Sequence, residues 1–190
     1  MVICVYSSSS NLIDKKYKEA AYRLGCEIAK RGDTFLYGGG QLGLMGQCAK
    51  GVHDHNGKVV GIIPKVLNVK GVVYDYCDEL IVTEDMRTRK KVMDERSDAV
   101  ITLPGGFGTL EEILEMITLK QLQYHNKPIA ILNTDGFYNE LIEMFDKIID
   151  LDFAKNVMRS YYYISHNAKD ILDYIDHYEP IKHQNKWEHR

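Results

Sequence analysis

Two rhythms of apolar and polar positions alternate along the chain. Short continuous runs rich in apolar and β-branched residues occur at 2–6 (VICVY), 34–37 (TFLY), 58–63 (KVVGII), 79–83 (ELIVT), 99–103 (AVITL), 128–132 (PIAIL) and 161–164 (YYYI). Each is bounded by polar or glycine-containing sequence and reads as a strand. Between them the spacing changes to the 3.6-residue period of an amphipathic helix. The stretch DKKYKEAAYRLGCEIAKRG has this period and stops at Gly32, a residue suited to the left-handed position that follows a helix. Helices are also predicted over 43–55, 85–96, 109–123, 137–149 and 167–176. Strands apolar on both faces and separated by helices predict a parallel sheet covered on both sides. The expectation is one doubly wound α/β domain over residues 1–176 with about seven strands, followed by a loose polar tail, 177–190.

Composition narrows the function classes. A chain of 190 residues suits one domain with a full core. The formal net charge of −3, without a long basic run, argues against a nucleic-acid partner. No apolar stretch approaches the roughly 20 residues of a membrane span. The chain enters its first strand directly, without the pattern of a signal peptide, so a cytoplasmic protein is expected. Cys4, Cys26, Cys48 and Cys77 are widely spaced and form no CxxC pair, which reads as reduced thiols. No HExxH or Cys/His cluster calls for a metal, and no cofactor is expected.

In doubly wound sheets ligands bind beyond the carboxyl ends of the strands, so the strand-to-helix turns carry the candidate chemistry. YGGGQLGLMG contains Gly38, Gly39, Gly40, Gly43 and Gly46 where the second strand feeds a helix. Gly38-x-Gly40-x-x-Gly43 satisfies the dinucleotide fingerprint GxGxxG, but no acidic residue is well placed about 20 positions on. Tight turning and close helix packing explain the same glycines. In LPGGFGTLEE, Pro104 ends the fifth strand, and Gly105, Gly106 and Gly108 free backbone amides at a helix start, an anion site. No Gly-Lys-Ser/Thr follows, which favours a monophosphate over a nucleoside triphosphate with magnesium. Thr109 and Glu112 also match the T-x-x-E capping box, a purely structural use of the glutamate. Arg87, Arg89, Lys90, Lys91 and Arg96 lie in a basic segment that reads equally as a solvated helix face with Lys90–Asp94 and Lys91–Glu95 pairs.

Taken together, PGGFGTLEE, the preceding MRTRKKVMDERSDAVITL and the upstream YGGGQLGLMG closely resemble the LONELY GUY (LOG) family. These are cytokinin riboside 5′-monophosphate phosphoribohydrolases, often mislabelled lysine decarboxylases. The likeness runs from Met1 to about residue 176, and the signature PGGxGTxxE is met at Pro104, Gly105, Gly106, Gly108, Thr109 and Glu112. The resemblance implies a Rossmann-like homodimer that hydrolyses the N-glycosidic bond of a purine riboside 5′-monophosphate, AMP or a cytokinin-type nucleotide, to free base and ribose 5-phosphate. It places the essential arginine on Arg89 and the essential glutamate on Glu112. Substrate contacts fall on Lys90, on Gly105, Gly106, Phe107, Gly108, Thr109, Leu110 and Glu111, and on Thr118. The glycine turn residues Gly39, Gly40 and Gly43 complete the expected binding set.

Three positions depart from the family pattern. Ser7-Ser8-Ser9-Ser10 stands where Cys-Gly-Ser-Ser is usual, and Arg87 replaces a common histidine. The glutamate usual after the Ile-Pro turn is missing near Lys70 and Gly71. The differences bear on base preference. A non-catalytic nucleotide-binding or carrier protein on the same scaffold is the alternative. It would tolerate loss of Glu112, which this chain keeps. A pyridoxal-phosphate decarboxylase and a dehydrogenase fit less well.

Overall fold

The computed structural model describes residues 1–181. Seven strands form one parallel sheet: β1 (Val2–Tyr6), β2 (Thr34–Tyr37), β3 (Lys58–Pro64), β4 (Glu79–Thr83), β5 (Ala99–Thr102), β6 (Ile129–Leu132) and β7 (Tyr163–Ser165). Six helices cover it: α1 (Lys15–Lys30), α2 (Gly43–His53), α3 (Met86–Arg96), α4 (Phe107–Gln121), α5 (Asn139–Asp150) and α6 (Ala168–Asp176). The expected doubly wound α/β domain is what the chain forms. Element ends differ by a few residues, most at β7, where the tyrosine run enters the sheet two residues later than expected because the preceding 3-10 turn runs through Ser160.

The strand order is β4-β3-β2-β1-β5-β6-β7. The chain builds outward from β1 in one direction and then returns to pair β5 on its other side, so the order reverses between β1 and β5. Alternation along each strand divides the core in two. Ile3, Val5 and Ile101 pack under α1, α2 and α6, against Leu24, Cys48 and Ile171. Cys4, Tyr6 and Val100 pack under α3, α4 and α5, against Met93, Ile113 and Phe145. Burial pushes the Cys4 thiol up to about 12, as expected for an unreactive core thiol, while Cys77 is only half-buried.

The first five residues of the predicted tail are not loose. Tyr178 donates to Asn126 Oδ1 (2.8 Å), Asn126 Nδ2 donates to the Ile181 carbonyl (2.8 Å), and Lys120 Nζ sits 4.6 Å from the centre of the Tyr178 ring. The remaining tail residues, 182–190, lie outside the described residues. Among the described residues no helix is long and apolar enough to cross a membrane.

Candidate active site

The reversal of strand order brings three turns together at the carboxyl ends of β1, β2 and β5. They are the serine turn Ser7–Ser10, the glycine turn after Tyr37, and the Pro104–Gly106 turn before α4. Ser8 N donates to the Pro104 carbonyl (3.3 Å), and the Ser8 carbonyl accepts from Leu44 N (2.9 Å) and Met45 N (3.3 Å). These bonds tie the three turns into one rim around a cavity of about 450 Å³. Its lining combines polar groups, the four serines and Thr109, with apolar side chains such as Met45, Val72 and Met86. Arg89 and Glu112 also line it.

Arg89 and Glu112 are 4% and 7% exposed, so two opposite charges are almost wholly removed from water. Arg89 Nη1 donates to Glu112 Oε1 at 2.8 Å, and Arg89 Nε donates to the Ile62 carbonyl at 3.0 Å. α3 supplies the arginine from its inward face, which buries only Arg89 and Met93. Burial pushes the Glu112 carboxyl above the usual carboxylate range, and the neighbouring guanidinium only partly pulls it back. Desolvation outweighing attraction is the usual balance of a buried ion pair, which is therefore a poor source of stability.

The capping-box expectation is corrected here. α4 begins at Phe107 with Gly106 as its N-cap, so Thr109 is already inside the first turn. Glu112 lies beyond that turn on the inward face with Ile113 and Met116 and bonds to Arg89 instead of a cap amide. The glycines cause the shift: a Cβ on Gly105 would lie 2.1 Å from Thr109 Oγ1, so its absence lets Thr109 fold down over the turn. Gly106 has no side chain to bond the first amides of α4, and such amides have no acceptor within their own helix. This helix N-terminus therefore opens into the cavity with its donors and positive dipole end available to an anion.

The glycine turn after β2 is different. The first amides of α2 are taken by the Ser8 carbonyl, and Gly43 N donates to Asn11 Oδ1 at 2.8 Å. Gly43 packs against the serine turn, where a Cβ would approach the Ser8 carbonyl oxygen to 2.6 Å, and Gly39 faces Ile62 and Ile63. Of the turn glycines, Gly38 and Gly40 reach the cavity, whereas Gly39 and Gly43 shape its wall from behind. Gly38, part of the GxGxxG frame but outside the expected binding set, lines the cavity, and the apolar part of the lining comes from five separate segments and has no local sequence signature.

Glu111 lines both the cavity and the far side of α4, while Phe107, Leu110 and Thr118 lie on that far side alone. Phe107, Leu110, Leu114 and Thr118 line an outer hollow of about 640 Å³, and Phe107 is 92% exposed. Thr118 Oγ1 donates to the Leu114 carbonyl of its own helix (2.7 Å). Lys90 does not pair with Asp94 as its spacing suggested. Its ammonium reaches across to Glu111 and Glu115 of α4, the second at 2.6 Å, while Asp94 binds Lys127 at 2.7 Å. The Lys91–Glu95 pair is present at 3.7 Å. The basic segment is thus solvated only in part: it directs Arg89 inward and clamps α3 to α4 through Lys90.

A family model described as "Possible lysine decarboxylase" matches residues 45–175. The cytokinin riboside 5′-monophosphate phosphoribohydrolase LOG7 of Arabidopsis thaliana is 42% identical over 178 residues, which cover 94% of this chain and 82% of that protein. The probable cytokinin riboside 5′-monophosphate phosphoribohydrolase LOGL2 of Oryza sativa subsp. japonica is 38% identical, covering 98% of this chain and 78% of its own. Among solved structures, the molybdenum cofactor binding protein of Rippkaea orientalis superposes with a TM-score of 0.71 at 26% identity, covering 92% of this chain and 94% of that one. Identity near 40% over nearly the whole length, together with the PGGFGTLEE turn and the inward Glu112, decides the matter: the chain belongs to the LOG family.

Proposed function

We propose that this protein hydrolyses the N-glycosidic bond of a purine riboside 5′-monophosphate, releasing the free base and ribose 5-phosphate. The observation that carries the reading is the buried Arg89–Glu112 pair in a cavity that also receives the uncapped N-terminus of α4. The amides of that N-terminus suit the 5′-phosphate. The apolar side chains of Met45, Val72 and Met86 suit a purine ring and an apolar N6 substituent, which fits both AMP and cytokinin-type nucleotides.

Cleavage of a ribosyl C–N bond builds positive charge on C1′ and the ring oxygen, as in glycoside hydrolysis. An ionised Glu112 stabilises that charge and orients the attacking water, whose proton it can accept. The bond electrons leave with the base, which is released after gaining a proton at nitrogen. Arg89 keeps the buried carboxylate charged and holds it in place. The phosphate, remote from the reacting bond, supplies binding energy that fixes the ribose in a reactive pose.

The outer face of α4, with Phe107, Leu110 and Leu114 exposed, is the surface expected to meet a second copy in the proposed homodimer. In that arrangement Phe107, Leu110 and Thr118 reach substrate across the interface. A carrier function is favoured less, because the enzymes are the nearer relatives at about 40% identity, against 26% for the cofactor-binding protein. The test is incubation of the purified protein with AMP and with N6-prenylated AMP, followed by chromatographic detection of base and ribose 5-phosphate. Release from either supports the reading; tight binding of both without release supports the carrier.

A further inference from the structure

Gly38 is the one glycine of its turn whose missing side chain is occupied by a charged group of the site. A Cβ built at this position would lie 2.1 Å from Arg89 Nη2 and 3.2 Å from Arg89 Cζ, with Met45 Cε at 3.3 Å. Backbone conformation does not demand glycine there. Gly39 and Gly43 have φ of +73° and +61°, whereas Gly38 is not in the left-handed region. Space is therefore what Gly38 provides, and the group that fills it is the guanidinium that also bonds Glu112 and the Ile62 carbonyl. That guanidinium is 51 residues away in sequence and enters from another helix.

We propose that Gly38 is a positioning residue for the hydrolysis: its empty Cβ position forms the seat in which the Arg89 guanidinium lies against Glu112. The inference rests on the proposed function only for its catalytic consequence; the seat itself is a packing claim. A methyl at position 38 collides with the far end of a flexible side chain and not with backbone, so the fold is expected to survive while the guanidinium is pushed off its bonds. The carboxylate then keeps its place on α4 but loses its charge partner. The helix N-terminus proposed to hold the phosphate is untouched, because the substitution is on a different turn.

The experiment is a double-mutant cycle with Gly38→Ala, Arg89→Ala and the double variant, read in two ways. In turnover of AMP, Gly38→Ala is expected to lower kcat by ~10- to 100-fold, the scale of a misplaced catalytic group, with a smaller change in KM. In thermal melting without substrate, Gly38→Ala is expected to lower Tm in the wild-type background and leave it unchanged or higher in Arg89→Ala, where the seat is vacant. An equal fall of Tm in both backgrounds, or unaltered kcat in Gly38→Ala, overturns the proposal. Should Gly38→Ala alone not fold, recovery of a folded double variant supports it and a second failure overturns it. If the wild-type protein releases no base, the functional reading fails, yet the melting cycle still decides whether Gly38 seats Arg89.

Discussion

Replacing Glu112 by glutamine separates the chemistry of this side chain from its packing. Glutamine keeps the volume and an oxygen that can accept from Arg89 Nη1, now at 2.8 Å from the carboxylate. What is lost is the charge. A charge-assisted bond becomes an ordinary one, a loss of about 1 kcal/mol, and relief of the burial that raises the Glu112 carboxyl acts in the opposite direction. The buried guanidinium of Arg89 also loses its counter-charge, so stability is expected to fall, by less than the ~3–5 kcal/mol of deleting a buried partner outright because glutamine still accepts from Nη1. Turnover should fall at least ~100-fold, the loss seen when an electrostatic stabiliser of a transition state is removed. Because the folded carboxyl titrates above its unfolded value, its contribution to stability is full below the ordinary carboxylate range and is lost as pH rises through the raised value. Glu112→Gln should remove that dependence, and wild-type activity should fall on the acid side above the ordinary glutamate value of about 4.3. The assay combines base release, AMP binding by calorimetry and melting across pH. A Glu112→Gln protein that melts normally and turns over at near wild-type rate would refute the catalytic role.

Arg89→Ala leaves Glu112 buried without a partner and is expected to cost about 3–5 kcal/mol in urea unfolding, with activity lost and AMP binding weakened. Lys120, fully buried and donating to the Lys127 and Tyr161 carbonyls, is lowered to about 8 by burial. The unfolded chain therefore binds more protons between about pH 8 and 10.5, so stability gained as pH rises through that window is lost as pH falls through about 8, and Lys120→Met should remove this slope in melting curves. Leu114→Asp places a charge on the outer face of α4 and should convert the proposed dimer to monomer in size exclusion with light scattering, while an unchanged mass counts against that face as the interface.

Much of the fold was legible because it rests on local rhythm. All seven strands and six helices follow from apolar runs and their spacing, and the serine, glycine and Pro104 turns mark where the sheet order reverses. The partners across the site were not legible in this way. Spacing within one segment suggested Lys90 with Asp94 and Thr109 with Glu112. The folded chain instead joins Lys90 to Glu111 and Glu115, and Arg89 to Glu112, bonds spanning 21 to 25 residues. The capping box failed for a local reason that propensity does not weigh: Gly105 and Gly106 let the helix start earlier, which turns Glu112 from the rim to the interior. Motif resemblance drew attention to Arg89 and Glu112, but the seat at Gly38 and the burial of the pair emerge only from packing.

The central claim, that the uncapped N-terminus of α4 holds a 5′-phosphate while Glu112 acts at the sugar, is tested most directly by the ratio of kcat/KM for AMP to that for adenosine. The phosphate is remote from the broken bond, so its binding energy is used to hold the ribose and should raise kcat/KM by at least ~100-fold. A ratio of that size, with turnover of AMP lost in Glu112→Gln through kcat and not through AMP affinity, is the predicted result. Equal turnover of AMP and adenosine would contradict it.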